Sequence, residues 1–342
     1  MLQLHLPDFA TAPLPTDPAD PAAAAALPGD EILREAVWID LFHPSAVELQ
    51  AVERALALEL PSLATITEIE PSSRISRQGS TLVMNLQLVA GIDSGVPLAT
   101  HVSLILAPRQ LITIRNSEPH AFHMLRQSCE QHAPGPGGGR LLLRLLEQIA
   151  DRSADILERM GAEIDSLSER TFGFREAESM RVSTSELQQI LRGIGRVQFV
   201  LNKVYESLST QARVAGFLIA EQDSDDEDKS RHRFPAKARP TLDALARDLA
   251  SLSTNCAFLI ESGNFLLDAA VGRISIEQNA IMSVFSVAAV IFLPPTLIGT
   301  IYGMNFHNMP ELALPYAYPL TLAAMLLSAV LPYLWFKKKG WL

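Results

Sequence analysis

Ile281-MSVFSVAAVIFLPPTLIGTI-Tyr302 and, after a short break, Tyr316-AYPLTLAAMLLSAVLPYLW-Phe336 decide the architecture. Each stretch exceeds the ~20 apolar residues that a helix needs to cross a bilayer. From Gln278 to Phe336 the single formally charged side chain is Glu311, in the loop between them. A buried helix of a soluble protein seldom runs so long without a charge, so the pair reads as a membrane hairpin. The connecting loop (303–315) carries no Lys or Arg, whereas Lys337, Lys338 and Lys339 follow the second span directly. Basic residues stay on the cytoplasmic side, which predicts cytoplasmic termini and an outward-facing loop. Trp335 and Trp341 suit the membrane interface beside those lysines.

Whole-chain composition agrees. Of 342 residues 48% are hydrophobic and only 19% charged, and the mean hydropathy is +0.16. A soluble domain is nearer ~25% charged. The net charge of −10 excludes nucleic acid as the main partner, since phosphate binding needs a basic footprint. Cys129 and Cys256 stand too far apart in sequence for a disulfide scaffold or a structural zinc site. Residues 1–30 hold six prolines and the run Ala22–Ala26, a composition that predicts a disordered tail.

Residues 31–133 mix strand-like runs (Thr81–Val89, His101–Leu106, Gln110–Ile114) with helical stretches such as Ala46–Leu60, and Asp93-Ser94-Gly95 suits a hairpin turn. This is the pattern of a small α/β domain. It contains no phosphate-binding glycine loop and no nucleophile elbow, so no enzyme site is expected. His101, His120, His123 and His132 are scattered and read as surface or core histidines. Pro134–Gly139 (PGPGGG) marks a linker.

Residues 140–240 are helical. One apolar seam runs Leu187, Ile190, Ile194, Val197, Leu201, Val204, Leu208, Gln211, Ala215, Leu218. A second runs Leu242, Leu245, Leu249, Leu252, Cys256, Leu259, Gly263, Leu266, Ala270. Steps of three and four predict two long helices packed in coiled-coil fashion. Between them six of the eight residues 221–228 are acidic, either a solvated tip or a weak cation attractor. The second helix is expected to start after Pro240 and to run through residues 241–302, a rod of roughly 90 Å at 1.5 Å per residue, with a kink at Pro294-Pro295. On the first span Asn279, Met282, Ser286, Ala289, Leu293 and Thr296 continue the three–four spacing and are mostly smaller or more polar than their neighbours. That stripe is either a helix-packing seam or the lining of a lumen shared by several copies.

The first span ends in Tyr302-Gly303-Met304-Asn305-Phe306, followed by Met309-Pro310-Glu311-Leu312. YGMNF-x-x-MPEL after the first of two C-terminal spans resembles the CorA family of magnesium transporters. The Trp38-Ile39-Asp40 run, the paired helices and the basic tail (337–342) agree, so the resemblance covers roughly residues 31–342. It implies an α+β cytoplasmic domain, long coiled-coil helices and two transmembrane helices, assembled as a homopentameric channel in the cell inner membrane among its lipids. Mg2+ is then substrate and regulatory ligand, with no separate cofactor, and Co2+ or Ni2+ are possible further substrates.

By position, the resemblance makes Tyr302, Gly303, Met304 and Asn305 the selectivity filter, with Asn305 facing the ion. It places Asn279, Met282, Ala289, Leu293 and Thr296 toward the pore, and adds Phe285 where spacing alone selects Ser286. Asp268 matches a carboxylate that binds regulatory Mg2+ between subunits, and Asp93 is its candidate partner. Glu311 lies at the outer mouth. Magnesium holds its waters tightly, so five neutral amide oxygens can bond the hydrated ion without trapping it. Two alternatives stay open: a Zn2+ transporter of the same architecture, against which Met304 argues, and a non-conducting coiled-coil membrane receptor.

Overall fold

The computed structural model describes residues 2–6, 11–13, 28–61, 75–92, 95, 97–131, 137–172, 184–223, 234–235, 237–305, 309–310 and 314–339. These fall into two compact units, residues 1–181 with 188–266, and residues 182–187 with 267–342.

The first unit holds a seven-stranded sheet of β1 (Leu2–His5), β2 (Thr11–Pro13), β3 (Trp38–Phe42), β4 (Ile75–Gln78), β5 (Thr81–Ala90), β6 (Leu98–Leu106) and β7 (Leu111–Arg115) in the order β2-β1-β3-β7-β6-β5-β4. β3 and β7 pair in parallel and the other neighbours are antiparallel. Leu2, Leu4, Ile39, Leu41, Ile105, Ile112 and Ile114 form its core with Leu33 of α1 (Asp30–Glu35) and Val52 of α2 (Ala46–Leu56). Ser45 opens α2 through a capping box, its Oγ accepting from Glu48 N at 3.3 Å while Glu48 Oε2 accepts from Ser45 N at 2.7 Å. The helix stops before the expected Leu60 because Ala57 turns left-handed (φ 52°) and Glu53 captures the Leu60 amide at 3.0 Å.

Two boundaries need correction. Residues 2–5 are no part of a disordered tail: β1 lies between β2 and β3, with Leu2 and Leu4 fully buried. Their apolar alternation outweighs the proline-rich composition that follows. Nor is the glycine run wholly a linker, because α4 (Gly138–Phe172) begins inside it. Gly138 N donates to Arg109 O at 2.9 Å. A Cβ at Gly138 would stand 2.3 Å from the Gln110 carbonyl carbon, so only glycine permits this approach of helix to strand. α3 (His120–Gln131) precedes it.

The helical part of this unit contains three packed helices where the seams predict two. α5 (Thr184–Asp223) buries every position of the first seam. α6 (Ala238–Tyr302) buries every position of the second apart from half-buried Leu252. Cys256 Sγ donates to Leu201 O at 3.4 Å and Gln198 Nε2 to Ile260 O at 2.8 Å, tying α6 to α5. α4 joins them: Leu167 packs over Gly193, and Gln211 of the α5 seam donates to Ser153 at 3.4 Å. α6 starts at Ala238, so Pro240 sits in its first turn, where a missing N–H costs little. Cys129 and Cys256 are free and buried, and burial pushes both thiols up to about 11, which leaves them unreactive.

The second unit contains residues 267–302 of α6 and α7 (Ala317–Lys338). The helix continues through Pro294 and Pro295.

Candidate functional site

Both C-terminal helices carry windows long and apolar enough to span a membrane, and only 6% of each window is buried. An apolar helix left uncovered by its own chain belongs against lipid or against other copies. The partial cover that exists is one-sided. On α6 the shielded positions are Ser283, Val287, Ala288, Ile291, Pro294, Pro295, Ile298 and Gly299. On α7 they include Thr321, Ala324, Met325, Ser328, Ala329 and Pro332, again at three–four spacing. Gly299 lets the helices approach: a Cβ there would meet Met325 Cε at 2.7 Å.

Asn279, Met282, Phe285, Ser286, Ala289, Leu293 and Thr296 are all exposed, Met282 at 67% and Leu293 at 66%, against 3% for Val287. At 100° per residue, Met282, Ser286, Ala289, Leu293 and Thr296 share an arc of roughly 80° on the side away from α7. Asn279 and Phe285 flank that arc. The stripe is therefore not the seam between the two spans of one chain. Its hydroxyls are satisfied locally, Ser286 donating to Met282 O at 2.8 Å and Thr296 to Phe292 O at 2.7 Å.

Beyond Tyr302 the helix closes through Gly303 N to Gly299 O at 2.9 Å and Met304 N to Ile301 O at 3.3 Å. A Cβ on Gly303 would lie 3.1 Å from Gly299 O, so this glycine answers a close carbonyl contact, not a left-handed φ. Tyr302, Met304 and Asn305 are exposed beside it. Glu311 lies outside the described residues, as does Asp93; Asp268 is exposed on α6. No group of three or more His, Cys, Asp or Glu side chains is arranged to hold a metal among the described residues.

The acidic connection is partly fastened. Glu221 pairs with Arg77 at 3.2 Å, and Arg239 bonds both Asp223 and Asp243, holding the Asp223 carboxyl below its ordinary range. Residues 225–228 lie outside the described set.

Sequence reading misses the buried centre of the sheet. Arg115 reaches Asp40 through Nη2 at 2.8 Å and Nε at 3.0 Å, and donates to Ser117 O at 2.7 Å. Its guanidinium lies between the rings of Phe42 (4.6 Å) and Phe122 (5.0 Å). Thr113 donates to Asp40 at 2.7 Å and accepts from Trp38 Nε1 at 3.0 Å. Trp38 and Asp40 of the Trp-Ile-Asp run thus meet Thr113 and Arg115 across the parallel β3–β7 register. A polar residue at the same parity on two buried strands was the available signal.

A mixed α/β unit with long packed helices, followed by two unburied apolar helices, defines a two-span membrane protein. The sequence profile of the CorA-like Mg2+ transporter proteins matches residues 34–338. The magnesium transport protein CorA of Pasteurella multocida (strain Pm70) is 32% identical over 91% of this chain and 93% of its own length. That of Haemophilus influenzae is 30% identical over the same shares. Among solved structures, the complete CorA magnesium transporter from Methanocaldococcus jannaschii shares the fold with a TM-score of 0.71 and 18% identity, covering 100% of this chain and 99% of that one. The chain belongs to the CorA-like Mg2+ transporter family, whose members transport ions and are not enzymes.

Proposed function

We propose that this chain carries Mg2+ into the cytoplasm down its electrochemical gradient, as a ring of five copies with α6 lining the pore. The observation that carries this reading is the stripe Met282–Thr296, exposed on the side away from α7. Two helices cannot enclose a water path, so a conducting arrangement has to bring that stripe of several copies around one axis. Asn305, beside Gly303 and Met304, then offers a ring of amide oxygens to hydrated Mg2+, and Glu311 raises the local cation concentration. The membrane potential supplies about 4.6 kcal/mol for two charges across 100 mV. Met282, Phe285 and Leu293 form the hydrophobic constriction.

Cytosolic Mg2+ gates the ring by bridging Asp268 and an acid of the neighbouring copy, Asp93 being the candidate. When Mg2+ falls, the like charges separate the copies and α6 moves. Co2+ and Ni2+ are expected as further substrates, with both termini cytoplasmic.

The test is uptake into proteoliposomes, comparing Mg2+ with Zn2+, with and without a proton gradient. Mg2+ flux that Asn305→Ala abolishes supports the filter; flux retained in that variant refutes it. A monomer or dimer in detergent refutes the ring. Asp268→Ala is expected to conduct at millimolar internal Mg2+, and full closure there refutes the gating role.

A further inference from the structure

Two histidines used neither by the conduction path nor by the core stand side by side on the first unit. His120 opens α3 and His123 follows three residues later, which sets both on one side of the first turn. Their ring centroids are 6.4 Å apart and the ring planes differ by 22°. Both side chains are exposed, and neither imidazole forms a hydrogen bond or ion pair with the described residues. The backbone beneath them is fixed, because Ala121, Phe122 and Leu125 are buried and Phe122 packs under Arg115. Glu118, two residues earlier, is occupied by Arg126 at 2.8 Å.

We propose that His120 and His123 chelate a transition-metal dication of the Ni2+, Co2+ or Zn2+ class, at a site Mg2+ does not enter. Imidazole nitrogens bind such metals at about 2.0–2.1 Å, which requires the rings to close by about 1–2 Å. Side-chain rotation of two exposed residues provides that without moving the helix. Mg2+ takes oxygen ligands and keeps its waters, so a two-imidazole pair offers it nothing. The Irving–Williams order places Ni2+ above Co2+ here. The positive end of α3 opposes any cation, so the affinity stays below that of a closed three- or four-ligand site. The pair gives the first unit a means of distinguishing transition metals from Mg2+, and it does not depend on the conduction reading.

The experiment uses the full chain in detergent, without appended histidines, in saturating Mg2+ so that oxygen-donor sites are filled. Calorimetric titration with Ni2+ is expected to show one site per chain, weakened about tenfold or more in His120→Gln and in His123→Gln, by analogy with the loss of a supporting ligand. His101→Gln should leave it unchanged. In the native chain, Ni2+ but not Mg2+ should shield both imidazoles from an acylating reagent, read by peptide mass. Absence of a Mg2+-resistant Ni2+ site, native-like isotherms in both variants, or full acylation of both rings in saturating Ni2+ would each overturn the assignment.

Discussion

The two ends of α6 bury their apolar side chains in opposite ways. Between Ala238 and Leu266 the helix hides Leu242, Leu245, Leu249, Cys256, Leu259 and Leu266, while Arg247, Asp248 and Glu261 face solvent. Between Val271 and Tyr302 only Val287 is buried, although apolar residues occur all round. One end is a stripe completed by α4 and α5 of its own chain. The other is a cylinder that its own chain leaves uncovered, and the hydrophobic effect satisfies it only in lipid or against other copies. Whole-chain composition averages the two and so describes neither.

The strongest test of this contrast is the interior of the first unit. Arg115→Ala leaves Asp40 buried without its cation and is expected to cost about 3–5 kcal/mol in denaturant unfolding. Arg126→Ala removes the partly exposed pair with Glu118 and should cost at most about 1 kcal/mol. Equal effects would mean that the interior ion pair does not hold the sheet. On α7, Leu326 is 67% exposed. Leu326→Arg should raise the free energy of insertion by about 3 kcal/mol, read as a fall in the membrane-inserted fraction. Normal insertion would show that this surface does not face hydrocarbon. The same exchange then separates the two regions directly. Leu249→Ala empties a packed seam at a cost of at least about 2 kcal/mol, whereas Leu326→Ala should leave the unfolding midpoint nearly unchanged. A matching loss at both positions would erase the distinction.

What the sequence reveals follows the same division. The spans are legible because charge is absent over a length that only a bilayer needs. The α5 seam is legible because its period is strict, down to Gln211, which is buried at a seam position and bonded to Ser153 and Ser207. α4 carries a comparable stripe, Leu146, Ile149, Ser153, Ile156, Met160, Ile164, Leu167 and Thr171, but its start is masked by the buried run Leu141–Leu143 with Leu145, and two of its seam positions are the polar Ser153 and Thr171. β1 is four residues long and stands before a proline-rich stretch, too short for alternation to register against composition. Beyond the first span, periodicity stops at Tyr302. Asn305 is singled out by resemblance alone, whereas the contact of Gly303 with the Gly299 carbonyl gives part of the motif a steric reason.

The smallest expected effect tests whether acid acts on one region only. His5 of β1 is buried and stacked at 4.4 Å on Trp38, and its Nε2 has no hydrogen-bond partner among the described residues. Burial lowers its pKa from 6.5 to about 4, with Asp40 pulling it back up in part and Arg126 lowering it further. The folded state therefore holds the neutral ring, and between about pH 4 and 6.5 the unfolded chain binds more protons. Stability is thus full above that window and is lost as pH falls through it. At pH 5 the loss is about 2 kcal/mol relative to pH 7. His5→Phe keeps a ring against Trp38 and removes the proton, so the native unfolding free energy minus that of the variant should rise by about 2 kcal/mol from pH 5 to pH 7. Parallel pH profiles would show that His5 is hydrated in the folded state and that β1 does not seal the sheet. The spans can contribute no comparable slope, because from Gln278 to Phe336 the lone carboxylate, Glu311, falls in sequence between the helices Ala238–Tyr302 and Ala317–Lys338.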